Sequence, residues 1–464
     1  MTAAERLAGS ARAERLTPAA SLSGIGSMLK YRAQPLARFE AARALSDRAV
    51  AFSVLGLPYI AFFDLKAIEH ILVTRHADFE KDAFTHDLRR VLGTGLLTSE
   101  GDAWRRQRKL IAPSFQPREI GAYGPVMVER AHAFAQGQAP AAVFDIHSAM
   151  MHLTLDILVR ALFGTRVSRG AEVERLLDQL MVDYMPAAAA WRLILPEWLP
   201  LPSRRRLASI RAELDVILLE LIRDRKARAA AEANDAATTL PADLLGRLML
   251  AHDTAGTLSE EAVRDEAMTL FLAGHETTAL SLTYTLRLLA QHPAEADALF
   301  RELEHVLRGR PPSMSDLPAL PYTRAVIDEA LRLYPPAWAI GRQPIEDTVV
   351  AGVVVPQGTM LIIAPWVMHR DARFFPDPER FWPERWLSGP AAPRYAYLPF
   401  GAGPRVCVGS HFALSEAALI LITLVQHARF ELEPNVGGEP PELELRAAIT
   451  LRPRGPVSMR MLPR

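Results

Sequence analysis

The sequence predicts a mainly α fold with a smaller β-rich part, and three observations lead to that reading. The middle of the 464-residue chain carries long apolar runs at helical spacing, as in Ala149–Phe163 and Leu214–Arg223. Near the N-terminus, Ala49–Leu57 and Tyr59–Phe63 are rich in Val, Phe, Ile and Leu around Gly56-Leu57-Pro58, the pattern of a hairpin. Beyond Pro344 the chain turns to short β-like pieces, Thr348–Val355 and Thr359–Ile363. With 50% of its residues hydrophobic the chain can bury a large core.

Taken in order, residues 1–30 read as a flexible N-terminal segment, followed by a short amphipathic stretch around Leu36–Leu45 and then the hairpin. Asp64 is placed to cap a helix whose face carries Leu65, Ile68, Ile71 and Leu72. Between Tyr184 and Arg206 the aromatic, Pro-rich run breaks the helical rhythm. It reads as a loop, either packed on the core or serving as a lid over an apolar entrance. Lys226–Asp243, rich in Ala and charge, reads as a flexible connector. Tyr322–Tyr334 is a helix stopped by Pro335-Pro336. An irregular region spans Phe374–Trp386, and His411–Gln426 is a strongly apolar helix.

Composition excludes several functions. Lys+Arg and Asp+Glu are balanced at 53 each, so no global charge favours nucleic acid or an anionic membrane. One cysteine rules out an internal disulfide and any Cys-rich metal cluster. The first thirty residues hold no apolar run approaching the roughly 18–20 residues of a membrane span and no signal-peptide core, which gives the expectation of a soluble, cytoplasmic protein without a transmembrane anchor. That stretch is rich in Ala and Arg like a transit peptide, but Glu5 and Glu14 oppose that reading.

That single cysteine sits in Phe400-Gly401-Ala402-Gly403-Pro404-Arg405-Val406-Cys407-Val408-Gly409, just ahead of the apolar helix. A lone cysteine is by default a small buried hydrophobe. Here the glycines free the backbone for close approach of a flat macrocycle, and backbone N–H groups at a helix start favour thiolate. Arg405 adds a cation two residues before the sulfur. A chance match to this pattern is on the order of 10⁻⁵ for a chain of this length.

The loop is similar to the cysteine-ligand signature of the cytochrome P-450 family. The resemblance implies a bound haem b (iron protoporphyrin IX) with Cys407 as its thiolate ligand, Arg405 on a propionate, and Phe400 and Gly409 against the macrocycle. It also implies one haem domain over residues 31–464, with the haem between a long central helix and the Cys loop.

Other segments carry the same resemblance. Ala273-Gly274-His275-Glu276-Thr277-Thr278 resembles the family's oxygen-activating motif on the central helix. That implies that the Thr277 hydroxyl bonds back to the Ala273 carbonyl, that Ala273 and Gly274 border the haem, and that Thr277 and Glu276 manage oxygen and protons. His275-Glu276 also begins like a zinc-protease helix, but Ala279 stands where the second histidine is required. Trp104 and Arg108, four residues apart, resemble the family's propionate pair, and Arg342 resembles a further propionate partner. Gln107 stands where histidine is frequent in relatives and changes a hydrogen bond near a propionate. Glu329 and Arg332, with Arg385, resemble the family's structural charge network.

The resemblance implies a monooxygenase that inserts one atom of O₂ into an apolar small molecule by hydroxylation or epoxidation. Too few residues follow Cys407 for a fused reductase, so electrons are expected from a ferredoxin or flavodoxin with its reductase, docking near Arg105, Arg106 and Lys109 on a monomer. Two alternatives stay open: a peroxide-using or isomerising haem-thiolate enzyme, and a haem-based sensor. By resemblance the pocket is lined from Asp82–Glu100, Tyr184–Leu201, the Met268–Thr277 face and Ala337–Ile340.

Overall fold

The computed structural model describes residues 14–31, 34–139, 141–166, 169–184, 191–232, 243–246, 259–389, 392–434 and 441–464. Its larger sheet is built from β1 (Ala49–Val54), β2 (Leu57–Phe62), β3 (Phe79–Glu80), β4 (Ile340–Pro344) and β5 (Met360–Ile363), in spatial order β1-β2-β5-β4-β3. β1 and β2 form the expected hairpin, with Ala49 opposite Phe62. The one parallel pair is β2 with β5, Tyr59 beside Met360, and it joins chain segments from opposite ends of the sequence. Large side chains bury both faces of the β1–β2 hairpin in a core of its own, Phe52 and Phe63 on one face and Phe62 on the other. Asp64 caps the next helix by accepting from Lys66 N–H at 2.9 Å.

The helical part is laid around a second, larger core. The elements used below are α1 (Ala83–Asp87), α2 (Gly101–Ile111), α3 (Ile146–Phe163), α4 (Gly170–Asp183), α5 (Pro202–Glu232), α6 (Glu260–Gln291), α7 (Pro321–Leu333) and α8 (Ser410–His427). α6 runs through the middle. Ser259 caps it by accepting from Ala262 N–H at 3.1 Å, and two acidic residues in its first turn face the positive end of the helix dipole. Nearly all of α6 is buried against α3, α8 and α7. α3 alone among the described helices is long and apolar enough to cross a membrane, but two thirds of it is buried inside the protein, as a core helix should be. A short hairpin of β6 (Leu445–Ala447) and β7 (Leu451–Pro453) reaches α6 from the C-terminal end.

Three segments differ from the sequence reading. Residues 1–13 lie outside the described residues, but from Glu14 on the supposed flexible segment is part of the fold. Glu14 exchanges backbone hydrogen bonds with Gly352 and Val354, Ala19 N–H donates to Ala51, and Leu22 is buried. Polar and small residues concealed this, because the anchoring is by backbone pairing. Part of the 184–206 run, 185–190, is outside the described residues, and Arg204–Arg206 already belong to α5, because Pro202 starts a helix as readily as it breaks one. The Lys226–Asp243 connector begins as helix to Glu232, and 233–242 are outside the described residues.

Candidate active site

On α6, Ala273 is exposed and Gly274 and Thr277 are half-buried, while Leu270, Leu272, His275 and Glu276 beside them are buried. An opening thus lies inside the protein along one short face of the helix. Thr277 Oγ1 donates to the Ala273 carbonyl at 3.0 Å, a bond back to its own helix one turn earlier. Gly274 serves a different neighbour: a Cβ there would come within 2.6 Å of Leu158, so its small size lets α3 and α6 approach. Thr154 on α3 adds a bond to the His275 carbonyl at 3.0 Å.

Glu276 points into buried surroundings. It pairs with Arg452 on β7 at 2.8 Å and accepts from the Thr450 hydroxyl. Arg452 then reaches Asp178 on α4 at 2.6 Å, and Asp178 is more than half exposed. Burial pushes the Glu276 carboxyl up, but the charge and hydrogen bond of Arg452 outweigh it and hold the group below its ordinary value. A carboxylate–guanidinium–carboxylate chain therefore links the turn at Thr277 to an open cleft of about 420 Å³. His147 in that cleft is held neutral, burial and Arg452 lowering it to about 4. Thr450 and Arg452 carry no local sequence signal for this role, since they meet Glu276 only through the hairpin.

The cysteine loop is shaped by its glycines. Gly401 and Gly403 have positive φ, and a Cβ on Gly403 would lie 1.9 Å from the Leu72 carbonyl oxygen. Cys407 N–H donates to the Phe400 carbonyl at 3.0 Å, which closes the loop, and Phe400 packs half-buried against the helical core. Gly409 caps α8. Cys407 is solvent-reachable yet deep within the protein, so its sulfur opens onto interior space. Burial pushes the thiol up, and the Gly409 N–H and Arg108 oppose it. Loop and helix start therefore do not by themselves make a thiolate here, because the loss of hydration is the larger effect.

Trp104 and Arg108 share one face of α2. Arg108 donates to the Val406 carbonyl at 2.9 Å, next to the cysteine. Arg405 stacks over Trp104 at 3.9 Å and pairs with Glu100. Arg342 donates to the Gly341 carbonyl at 2.7 Å and lies within electrostatic reach of Glu100 and Asp82. Lys81, which the sequence reading missed, joins this group: its amine donates to the Leu97 carbonyl, and burial with repulsion from Arg342 and Arg405 lowers it to about 7. Lys81, Arg342 and Arg405 crowd around Glu100, an arrangement that invites further negative charge. Gln107 turns away from this group; its amide binds the Thr94 carbonyl at 2.8 Å and Ser99 Oγ. Arg105, Arg106 and Lys109 are exposed on the other side of α2, with Arg105 paired to Asp102.

Under the loop, Glu329 and Arg332 on α7 pair at 2.8 Å with both side chains fully buried. Arg385 joins Glu329 at 3.0 Å, and Trp386 Nε1 donates to it at 2.9 Å. Arg332 also binds the carbonyls of His369, Pro378 and Arg380, which pins the irregular 374–386 region.

A cavity of about 220 Å³ lies between the sheet, α1 and the β6–β7 turn, with Phe84, Leu88, Tyr184, Trp338 and Ala339 in its walls. These come from three of the four segments expected to line the pocket; the α6 face does not reach it. Ala448 and Ile449 on its rim directly precede Thr450, the partner of Glu276. Above the cavity, Arg192 is fully buried between Asp87 of α1, at 2.8 Å, and the carbonyl of Asp183. Asp183 in turn pairs with Arg206, and Arg90 pairs with Glu197.

Comparison with known proteins agrees with this geometry. The family model described as Cytochrome P450 matches residues 17–459. The chain is similar to cyclooctat-9-en-7-ol 5-monooxygenase of Streptomyces melanosporofaciens, 37% identical with 77% of each chain covered. It is 34% identical to putative cytochrome P450 132 of Mycobacterium tuberculosis, with 87% of each covered. To pentalenene oxygenase of Streptomyces avermitilis it is 31% identical, covering 83% of this chain and 86% of that protein.

Proposed function

Because the chain belongs to the cytochrome P450 family and is an oxidoreductase of that kind, we propose that it hydroxylates or epoxidises apolar, terpenoid-like molecules with electrons from a separate ferredoxin or flavodoxin system. The observation that carries the reading is the Cys407 sulfur, reachable by solvent although it lies deep in the fold. The residues around it fit a haem b: a thiol donor, the Lys81, Arg342 and Arg405 cations beside Trp104 and Arg108 for two propionates, and exposed Ala273 on a buried helix. Iron held by a thiolate activates O₂ for insertion of one oxygen atom into a C–H or C=C bond.

The chain's own groups supply what that chemistry needs. Thr277, held by the Ala273 carbonyl, keeps one hydroxyl at the interior opening. Glu276 takes up a proton from the cleft at Asp178 when Arg452 releases it, and passes it toward Thr277. Phe84, Leu88 and Trp338 exclude water from the substrate side. Two of the relatives are named for oxygenation of cyclooctat-9-en-7-ol and of pentalenene, which favours a mostly hydrocarbon substrate of that kind here.

The test is the reduced protein under carbon monoxide, expected to show the strongly red-shifted band of a thiolate-ligated haem; a band at the position of a nitrogen-ligated haem overturns the reading. With a ferredoxin and its reductase, product from a terpene should carry isotope label from O₂. Turnover with peroxide alone would support the peroxide-using alternative instead.

A further inference from the structure

The cavity beside the sheet is walled mostly by apolar side chains, with Tyr59 among the few polar groups that interrupt them, Arg38, Asp82 and Thr85 being others. Tyr59 on β2 lines it, with its ring stacked on Phe52 at 5.1 Å and 6° and tilted against Phe84. The residue is 7% exposed. Its hydroxyl has no hydrogen-bond partner among the described residues and is not sealed from the cavity. A hydroxyl left unpaired in so apolar a place is unfavourable unless something meets it. The neighbouring polar groups are engaged elsewhere: Thr85 donates to Asp82 at 2.6 Å, and the Tyr184 hydroxyl donates to the Asp87 carbonyl at 2.8 Å.

We propose that Tyr59 is the specificity-determining anchor of the substrate site, and that it selects a mostly hydrocarbon molecule carrying one neutral oxygen group, a hydroxyl or carbonyl. Asp82 and Arg38 both line the cavity and act on Tyr59 with opposite sign, so their fields offset at the anchor. A carboxylate or an ammonium placed there would lose its hydration without gaining a net counter-charge. At about 220 Å³ the cavity is smaller than the roughly 300–1,000 Å³ of pockets for drug-sized ligands, which suits one end of such a molecule. The rim residues Ala448 and Ile449 directly precede Thr450, which is bonded to Glu276, so this wall of the cavity is tied to the turn of α6 that carries Thr277. This inference rests on the monooxygenase reading above and assigns the substrate's polar end within it.

The test compares farnesene, farnesol and farnesoic acid, which share one carbon skeleton, by calorimetric titration of the ferric holoprotein and its Tyr59→Phe variant. Phenylalanine keeps the stacking on Phe52. Wild type should bind farnesol about 3–10-fold tighter than farnesene, the worth of one net hydrogen bond, and farnesoic acid weakest. Tyr59→Phe should bring farnesol down to farnesene and leave farnesene unchanged. Equal affinity of wild type for farnesol and farnesene, an undiminished preference in the variant, tighter binding of farnesoic acid, or binding of none of the three overturns the proposal. The carbon monoxide band and the incorporation of label from O₂, recorded on the same wild-type preparation, separate these results from failure of the monooxygenase reading, in which one or the other is lost.

Discussion

Replacing Arg452 by methionine should expose how much of the fold depends on the Glu276 pair. The pair is nearly sealed, Arg452 being 1% exposed and Glu276 3%. Methionine fills most of the same space but leaves a buried carboxylate with only the Thr450 hydroxyl. Breaking one partner of such a pair costs about 3–5 kcal/mol, a large share of the roughly 5–15 kcal/mol that holds a domain together. The lost contact to Asp178 adds under about 1 kcal/mol, because that side chain is 58% exposed. At about 2.1 cal/mol/K per residue over a chain of this size, the expected drop in Tm is roughly 3–5 °C at neutral pH.

The pH dependence has a definite sign. In the native chain the Glu276 carboxyl is held below its ordinary value, so its stabilisation is present above the unfolded pKa of about 4.3 and is lost as pH falls through the lowered value. In the variant burial acts without Arg452, the folded pKa rises, and the deficit is largest at high pH and shrinks as pH falls. Thermal unfolding of both holoproteins from about pH 8 down to about pH 5 at fixed salt reads this directly. Adding Glu276→Gln to the variant should restore most of the loss. A deficit below about 1 kcal/mol, a deficit that does not change with pH, or no rescue by the second substitution would refute the reasoning.

Thr277→Ala removes the hydroxyl bound to Ala273 and should leave folding intact while product per NAD(P)H falls and hydrogen peroxide rises; unchanged coupling counts against the proton route. Gly403→Ala forces a Cβ into the Leu72 carbonyl at positive φ and should reduce the fraction of protein that holds haem severely, measured as the height of the carbon monoxide band per chain; a normal band sinks this account of the loop. Burial pushes the Glu416 carboxyl up to about 8, only partly offset by Thr278. A raised folded pKa means its contribution is full below about pH 4 and is lost as pH rises to about 8, so Glu416→Gln should flatten the fall in stability between about pH 5 and 8. Equal falls in the two proteins would show that Glu416 is not the group responsible.

The parts of the fold that follow from local pattern were legible in the sequence. The β1–β2 hairpin, the Asp64 cap, α3, α7 and α8 each depend on periodicity or a cap within a few residues. The Glu329–Arg332–Arg385 cluster and the Thr277–Ala273 bond were legible through the family resemblance, not through spacing alone, because a Glu-x-x-Arg pair is expected about once by chance in a chain of this size. What the sequence hid is made at long range. Arg452, Thr450 and Lys81 are ordinary residues in ordinary contexts until the β6–β7 hairpin and the segment before α1 bring them inward. Trp386 was visible beside Arg385, yet nothing local says that its indole would turn to Glu329. The Glu14–Leu22 anchoring was hidden for another reason: backbone hydrogen bonds leave no trace in side-chain composition.

Arg192 gives the covering of the cavity an unusual character. A lid fastened by apolar side chains loosens gradually, each contact surrendering a little area to water. A segment fastened by a fully buried guanidinium between Asp87 and the end of α4 holds or loses that contact as a unit, because parting the partners leaves a buried charge unpaired. So buried a pair is screened only weakly by dissolved salt. Because the desolvation penalty of charges falls on warming, such a clasp also holds on at temperatures where the rest of the surface has begun to breathe.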